Sequence, residues 1–283
     1  MFINYRKATL LFLIALVSQT LSSQSNRNQV PTKQSPARAY YEQSEDGIVL
    51  LADNQGYSPY TIQIKMDLKN MRSSKGTSID IVIPALTERM ELALLTIEDK
   101  YKASSFNFGA SYVTGNALSP PKSTHIYQLP YAPDQSYIMS QGYNGQFSHE
   151  GKNALDFTMD EGTAVCAARD GVISEVVDQY NKGCPREECM FLANSITIYH
   201  EDGTFADYVH LKRKGSNVKP GDIVQTGQVI GYSGNTGYSS GPHLHFEAYY
   251  FDLTGKITLK TKFDTKESKN SYLSEKQFYT AFE

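Results

Sequence analysis

Apolar and polar residues alternate over 62–69, where Ile62, Ile64, Met66 and Leu68 are separated by Gln63, Lys65, Asp67 and Lys69. A period of two is the mark of a strand with one face buried. Residues 78–83 and 106–112 read the same way, separated by turn-forming pieces such as SSKG at 73–76. Together they predict a small antiparallel β-sandwich over 40–115. The stretch NALSPPKS at 116–123, with adjacent prolines, breaks the pattern and marks a linker over 116–125. Beyond it, glycines at regular intervals, among them Gly162, Gly171, Gly203, Gly221 and Gly231, punctuate short apolar runs at 172–177, 195–200 and 228–232. That spacing predicts a second domain of many short strands and tight turns over 126–255, so the fold class is all-β. Residues 256–283 form a C-terminal extension. Its last part, with Tyr272, Leu273, Phe278, Tyr279 and Phe282, suits either a short helix or a docking strand.

The amino terminus carries Arg6 and Lys7, then a ten-residue run at 8–17 that is apolar but for Thr9, then small residues Thr20, Ser22 and Ser23. The apolar run falls short of the ~20 residues a membrane-spanning helix needs. It reads as a cleaved signal peptide over 1–23, with no cysteine at the junction for a lipid anchor. The expected location is periplasmic or extracellular, with no integral membrane association after cleavage. Residues 24–39 are polar, hold two prolines and show no periodicity, as a flexible linker would. A net charge of −3 lacks the dense basic surface that a nucleic-acid partner requires. The lysines at 256, 260, 262, 266 and 269 read as a solvated face. Of three cysteines, Cys184 and Cys189 enclose only PREE, and an oxidising compartment would favour a disulfide there, whereas Cys166 sits in the apolar run AVCAA as a small core residue. No CxxC zinc motif is present.

The chain has six histidines, and three of them lie between 210 and 245. In GPHLHFE at 241–247, His243 and His245 are two apart and project to one side of a strand. Such a pair suits a metal ligand with a second imidazole beside it, or two unrelated histidines on an edge strand. His149 and Asp156 flank a six-residue loop. With His245 they would supply two nitrogens and one oxygen, a set suited to Zn²⁺ with a fourth position open. Taken singly, they read as a loop histidine and a surface carboxylate. His210 closes YVH just after the turn EDGT, so it emerges at the end of a hairpin strand, where a buried histidine bonded to a backbone carbonyl is the plainer reading. His125 and His200 have no partner residues nearby in sequence and read as structural or surface histidines.

Several motifs in a fixed order change the weighting. They are DF at 156–157, EGTAVCAARDGV at 161–172, ITIYHEDGT at 196–204, YVH at 208–210, VKPGD at 218–222, GQVIG at 227–231, SGNTG at 233–237 and GPHLHFE at 241–247. Residues 126–250 closely resemble the lysostaphin and LytM type of zinc endopeptidase. The resemblance implies a LytM-like β-sheet catalytic domain with one Zn²⁺ per chain held by His149, Asp156 and His245. His210 and His243 become a pair of catalytic histidines that do not bind the metal. It also implies peptidoglycan peptides, stems or cross-bridges, as substrate. His149 and Asp156 are seven positions apart here, against four in the shortest family pattern. The rival from another class is a catalytically inactive LytM-like module that binds or activates other cell-wall hydrolases; such relatives usually lack one or more of the five positions, and here all five are filled.

Overall fold

The alternation over 62–69 becomes the strand Tyr60–Lys69 in the computed structural model, which describes residues 35–282. It is the middle strand of a three-stranded antiparallel sheet, between Ser78–Ile83 and Ser105–Thr114. A second sheet orders Ala37–Gln43, Ile48–Asn54, Thr87–Ile97 and Met71–Ser73. The inward residues of the two sheets, among them Ile62, Ile64, Ile83, Leu50, Leu92 and Leu95, form one apolar cluster. Residues 1–23, and the linker up to residue 34, lie outside the described residues.

A larger antiparallel sheet follows. Among the described residues it runs in the order Ile223–Val224, Gly171–Val177, Ser195–Tyr199, Phe205–Val209, His243–Asp252, Ala154–Thr158, Ser136–Gln141 and Phe278–Thr280, with Gly255–Leu259 also paired to His243–Asp252. The period of two explains its two faces. Leu244, Phe246 and Ala248 point into a core shared with Leu155, Phe157, Ile196, Ile198, Ala206 and Tyr208. A smaller sheet of Ala164–Cys166, Val229–Ser233 and Leu211–Ser216 closes this core with Val165, Ile230 and Leu211. The residues between, His243, His245 and Glu247, are thereby turned to the opposite face.

The end of the chain is a strand. Phe278–Thr280 pairs with Ser136–Gln141, and Tyr279 and Ala281 are buried in the core. Cys184 and Cys189 form a disulfide, and Cys166 is a free, buried thiol. No helix among the described residues is long and apolar enough to cross a membrane.

One polar contact inside the core is open to test. The fully buried Tyr208 hydroxyl accepts the Ala168 amide at 2.7 Å. Tyr208→Phe leaves that amide unpaired away from water and should cost about 1–3 kcal/mol in denaturant unfolding. A variant as stable as the parent would show that the bond contributes nothing.

Candidate metal centre and groove

Strand register brings the first two polar groups together. Asp156 stands directly opposite His245 across the antiparallel pair, and Thr158 opposite His243. Val209 stands opposite His245 on its other side, so His210 follows at the strand end, beside the same site. His149 arrives from the loop between Ser136–Gln141 and Ala154–Thr158. Its amide bonds to the Gly145 carbonyl, and Lys152 bonds back to its own carbonyl, a tight turn that absorbs the seven-residue spacing to Asp156. Gly145 is required for this path, because a Cβ there would come within 2.4 Å of Cγ of Gln141.

Three donor atoms converge. His245 Nδ1 lies 2.9 Å from Asp156 Oδ1, His149 Nε2 lies 3.3 Å from the same oxygen, and the two nitrogens are 3.3 Å apart. The other ring nitrogen of His149, Nδ1, donates to the Gly142 carbonyl at 3.0 Å, which leaves the Nε2 lone pair facing the cluster. Gln141 Nε2 donates to Asp156 Oδ2 at 3.2 Å and to Ser148 Oγ at 2.8 Å, fixing the carboxylate with Oδ1 turned inward. Four donors arranged tetrahedrally at about 2.0–2.1 Å from one ion stand about 3.3 Å from each other. The triangle fits three corners of that figure, and these residues can hold a metal ion.

The electrostatics agree. Burial alone would raise the Asp156 carboxyl, but hydrogen bonds and charge from His149 and His245 outweigh it and hold the group well below the usual carboxylate range. Burial opposes protonation of His245, and the Asp156 carboxylate overcomes it, so its pKa is raised. The cluster draws positive charge, which a metal ion held there would supply while displacing protons.

His210 and His243 stand beside the triangle with ring centroids 4.5 Å apart. Each uses Nδ1 on a backbone carbonyl, His210 on Thr236 at 2.6 Å and His243 on Gly241 at 2.8 Å. Both therefore turn Nε2 towards the site, and His243 Nε2 is 3.8 Å from Asp156 Oδ1. Burial, with the neighbouring His243 and His245, pushes the pKa of His210 down to about 3, so its imidazole is neutral. His210 is thus a buried histidine bonded to a carbonyl and a member of the cluster at once. Its backbone sits in the left-handed region at φ 65°, a conformation that costs a non-glycine residue about 1–3 kcal/mol and persists only where its surroundings enforce it.

Asp156, His210, His243 and His245 border a groove of about 470 Å³ that Phe147 and Tyr238 also line, their rings stacked at 6.3 Å, while His149 is buried and does not line it. Among the described residues none before Ser140 lines it, so the N-terminal sheets leave it uncovered. His125 and His200 lie apart from it, and His200 is wholly buried. Sequence reasoning missed Gln141 and Thr236. Neither belongs to a spacing pattern, and only register and loop closure bring them to the site.

Comparison with known proteins finds relatives for the same part of the chain. Residues 150–257 match the model of peptidase family M23. The glycyl-glycine endopeptidase ALE-1 of Staphylococcus capitis is 43% identical over 108 residues, which are 38% of this chain and 25% of that protein. The peptidoglycan DD-endopeptidase ShyC of Vibrio cholerae is 38% identical over 92 residues, 32% of this chain and 18% of that one. The chain thus spans a quarter or less of the length of these curated relatives. The catalytic domain of lysostaphin from Staphylococcus simulans is 31% identical, with 44% of this chain and 87% of that chain covered and a TM-score of 0.32. Residues 150–257 are thus a peptidase family M23 domain of the lysostaphin/LytM type.

Proposed function

We propose that the protein is a secreted zinc metallo-endopeptidase that hydrolyses peptide bonds in the stems or cross-bridges of bacterial peptidoglycan. The observation that carries this reading is the triangle of His149, Asp156 and His245 with two further imidazoles beside it, those of His210 and His243, lining an open groove. The endopeptidase names of the M23 relatives supply the substrate class. The disulfide between Cys184 and Cys189 and the leader read over 1–23 support export to an oxidising compartment.

His149, Asp156 and His245 would hold one Zn²⁺. The chemistry a bound Zn²⁺ supplies is Lewis acidity, which makes water more acidic and polarises an amide carbonyl. The remaining work falls to the chain. Gln141 holds the carboxylate, and the Gly142 carbonyl fixes the ring of His149. His210 and His243, their Nδ1 atoms occupied, offer Nε2 to take a proton from the attacking water, to stabilise the developing oxyanion and to return a proton to the leaving amine.

Incubating the full chain with peptidoglycan of several cross-link types, then identifying the released ends by mass, tests activity and bond choice together. New peptide ends should appear, vanish with a chelator and return with Zn²⁺. Intact cross-links in every substrate, with zinc supplied, would leave the binding or activating module as the better account.

A further inference from the structure

We propose that Thr236 and Asn194 are positioning residues for the reaction, holding the carbonyl that orients His210 and the backbone that carries it. The inference rests on the catalytic reading of His210 given above. Thr236 is 5% exposed and Asn194 is wholly buried, and neither touches the metal triangle.

The bonds form a closed set. Thr236 Oγ1 donates to the Leu211 carbonyl at 2.8 Å and accepts the Asn194 amide at 3.0 Å. Asn194 Nδ2 donates to the same Leu211 carbonyl at 3.1 Å, and the Leu211 amide donates to the Asn194 carbonyl. Leu211, next to His210, is thus held through both its amide and its carbonyl, which pins the left-handed turn at His210. The carbonyl of Thr236 itself receives His210 Nδ1. One residue therefore anchors the turn through its side chain and sets the tautomer through its backbone.

A brace backs the clamp. The remaining capacity of Asn194 goes to Tyr180, accepting its amide at 2.9 Å and donating to its carbonyl at 2.8 Å. From there the chain runs alongside the 233–241 loop, pairing Gly183 with Gly237 and Cys184 with Tyr238. Gly237, at φ 82°, lies so close that a Cβ would fall 2.5 Å from that of Ala193. Ser239 in the same loop contacts His243 Nδ1 at 3.3 Å and donates to the Gly241 carbonyl, the acceptor of that ring nitrogen. The segment 180–194 thus steadies the acceptors of both histidines. Catalytic groups lose rate steeply when displaced by an ångström.

Thr236→Val removes the hydroxyl at nearly constant volume, and Thr236→Ser restores it. Thr61 is the control: equally buried, it also donates to a carbonyl, of Gly115, and accepts an amide, of Ala117, but in the N-terminal sandwich. In the full chain, Thr236→Val should lower kcat by on the order of tenfold to a hundredfold. KM and metal content should hold, Thr236→Ser should stay within about twofold of the parent, and Thr61→Val should keep full kcat while melting lower. Histidine-¹⁵N NMR of the same proteins should show the His210 Nδ1–H signal exchanging with water in Thr236→Val and protected in the parent and Thr236→Ser. Should Thr236→Val not fold, Thr236→Ala takes its place. A hydroxyl-free variant with unchanged kcat, or with an unchanged His210 signal, overturns the proposal. Should the parent cleave no peptide, the catalytic reading fails, and the His210 signal alone decides whether the clamp orients the ring.

Discussion

Replacing His245 with alanine should remove the metal and, with it, turnover, while replacing His210 with alanine should leave the metal and lose turnover alone. The reasoning is geometric. His245 Nδ1 is one of three donors whose mutual separations of 2.9 and 3.3 Å suit a single ion, and two donors do not make a site of comparable affinity. Without the metal, cleavage should fall by at least about a thousandfold, the scale of Lewis-acid and water activation together. His210 contributes no atom to the triangle, so His210→Ala should keep stoichiometric zinc and lose about 10²–10⁴-fold in kcat, as removal of a proton-transfer group does. Metal analysis of the purified variants beside peptidoglycan cleavage checks both halves. Equal loss of zinc in the two variants would refute this division of roles.

Acid should weaken the fold through His200. The ring is wholly buried, Nδ1 donates to the Asp170 carbonyl at 2.7 Å, and Nε2 has no partner among the described residues. Burial, reinforced by the charge of Arg169, pushes its pKa down to about 4. The unfolded chain takes up a proton here below its ordinary pKa of about 6.5, and the folded protein does not until about pH 4. The stability tied to this group is therefore complete above pH 6.5 and is lost as pH falls to about 4. At about 1.4 kcal/mol per pH, the loss is about 3 kcal/mol. Unfolding in denaturant at pH 7 and pH 4, with a chelator present to remove metal linkage, should show it. His200→Asn can keep a donor to Asp170 without the titration, and should lose about 3 kcal/mol less than the parent between the two pH values. Identical pH dependence in both proteins would assign the acid sensitivity elsewhere.

His200 also marks where local reading stops. Its neighbours in sequence say nothing of burial, and its partner Asp170 comes from a strand connection thirty residues earlier. The HxH pair was legible because a strand has a fixed period: His243 and His245 turn outward for the reason that Leu244 and Phe246 turn inward. The two ends of the chain differ in the same way. The pattern over 62–69 specified its strand, whereas the aromatic residues near 271–283 were compatible with helix or strand until Phe278–Thr280 found an edge to pair with.

By itself, then, the sequence determined the all-β class and the inward and outward faces of its strands, and, through the resemblance its ordered motifs carry, it pointed to the five residues proposed for the site. Tertiary structure alone decided how they meet. Register set Asp156 against His245, a tight turn brought His149 across seven residues, and the closing of the 233–241 loop supplied a carbonyl to His210. The physical reason is range. Side-chain direction follows from local backbone geometry, but hydrogen-bond partners such as Gln141, Thr236 and Asn194 are chosen by which strands and loops become neighbours. That choice is made by burial of the whole core.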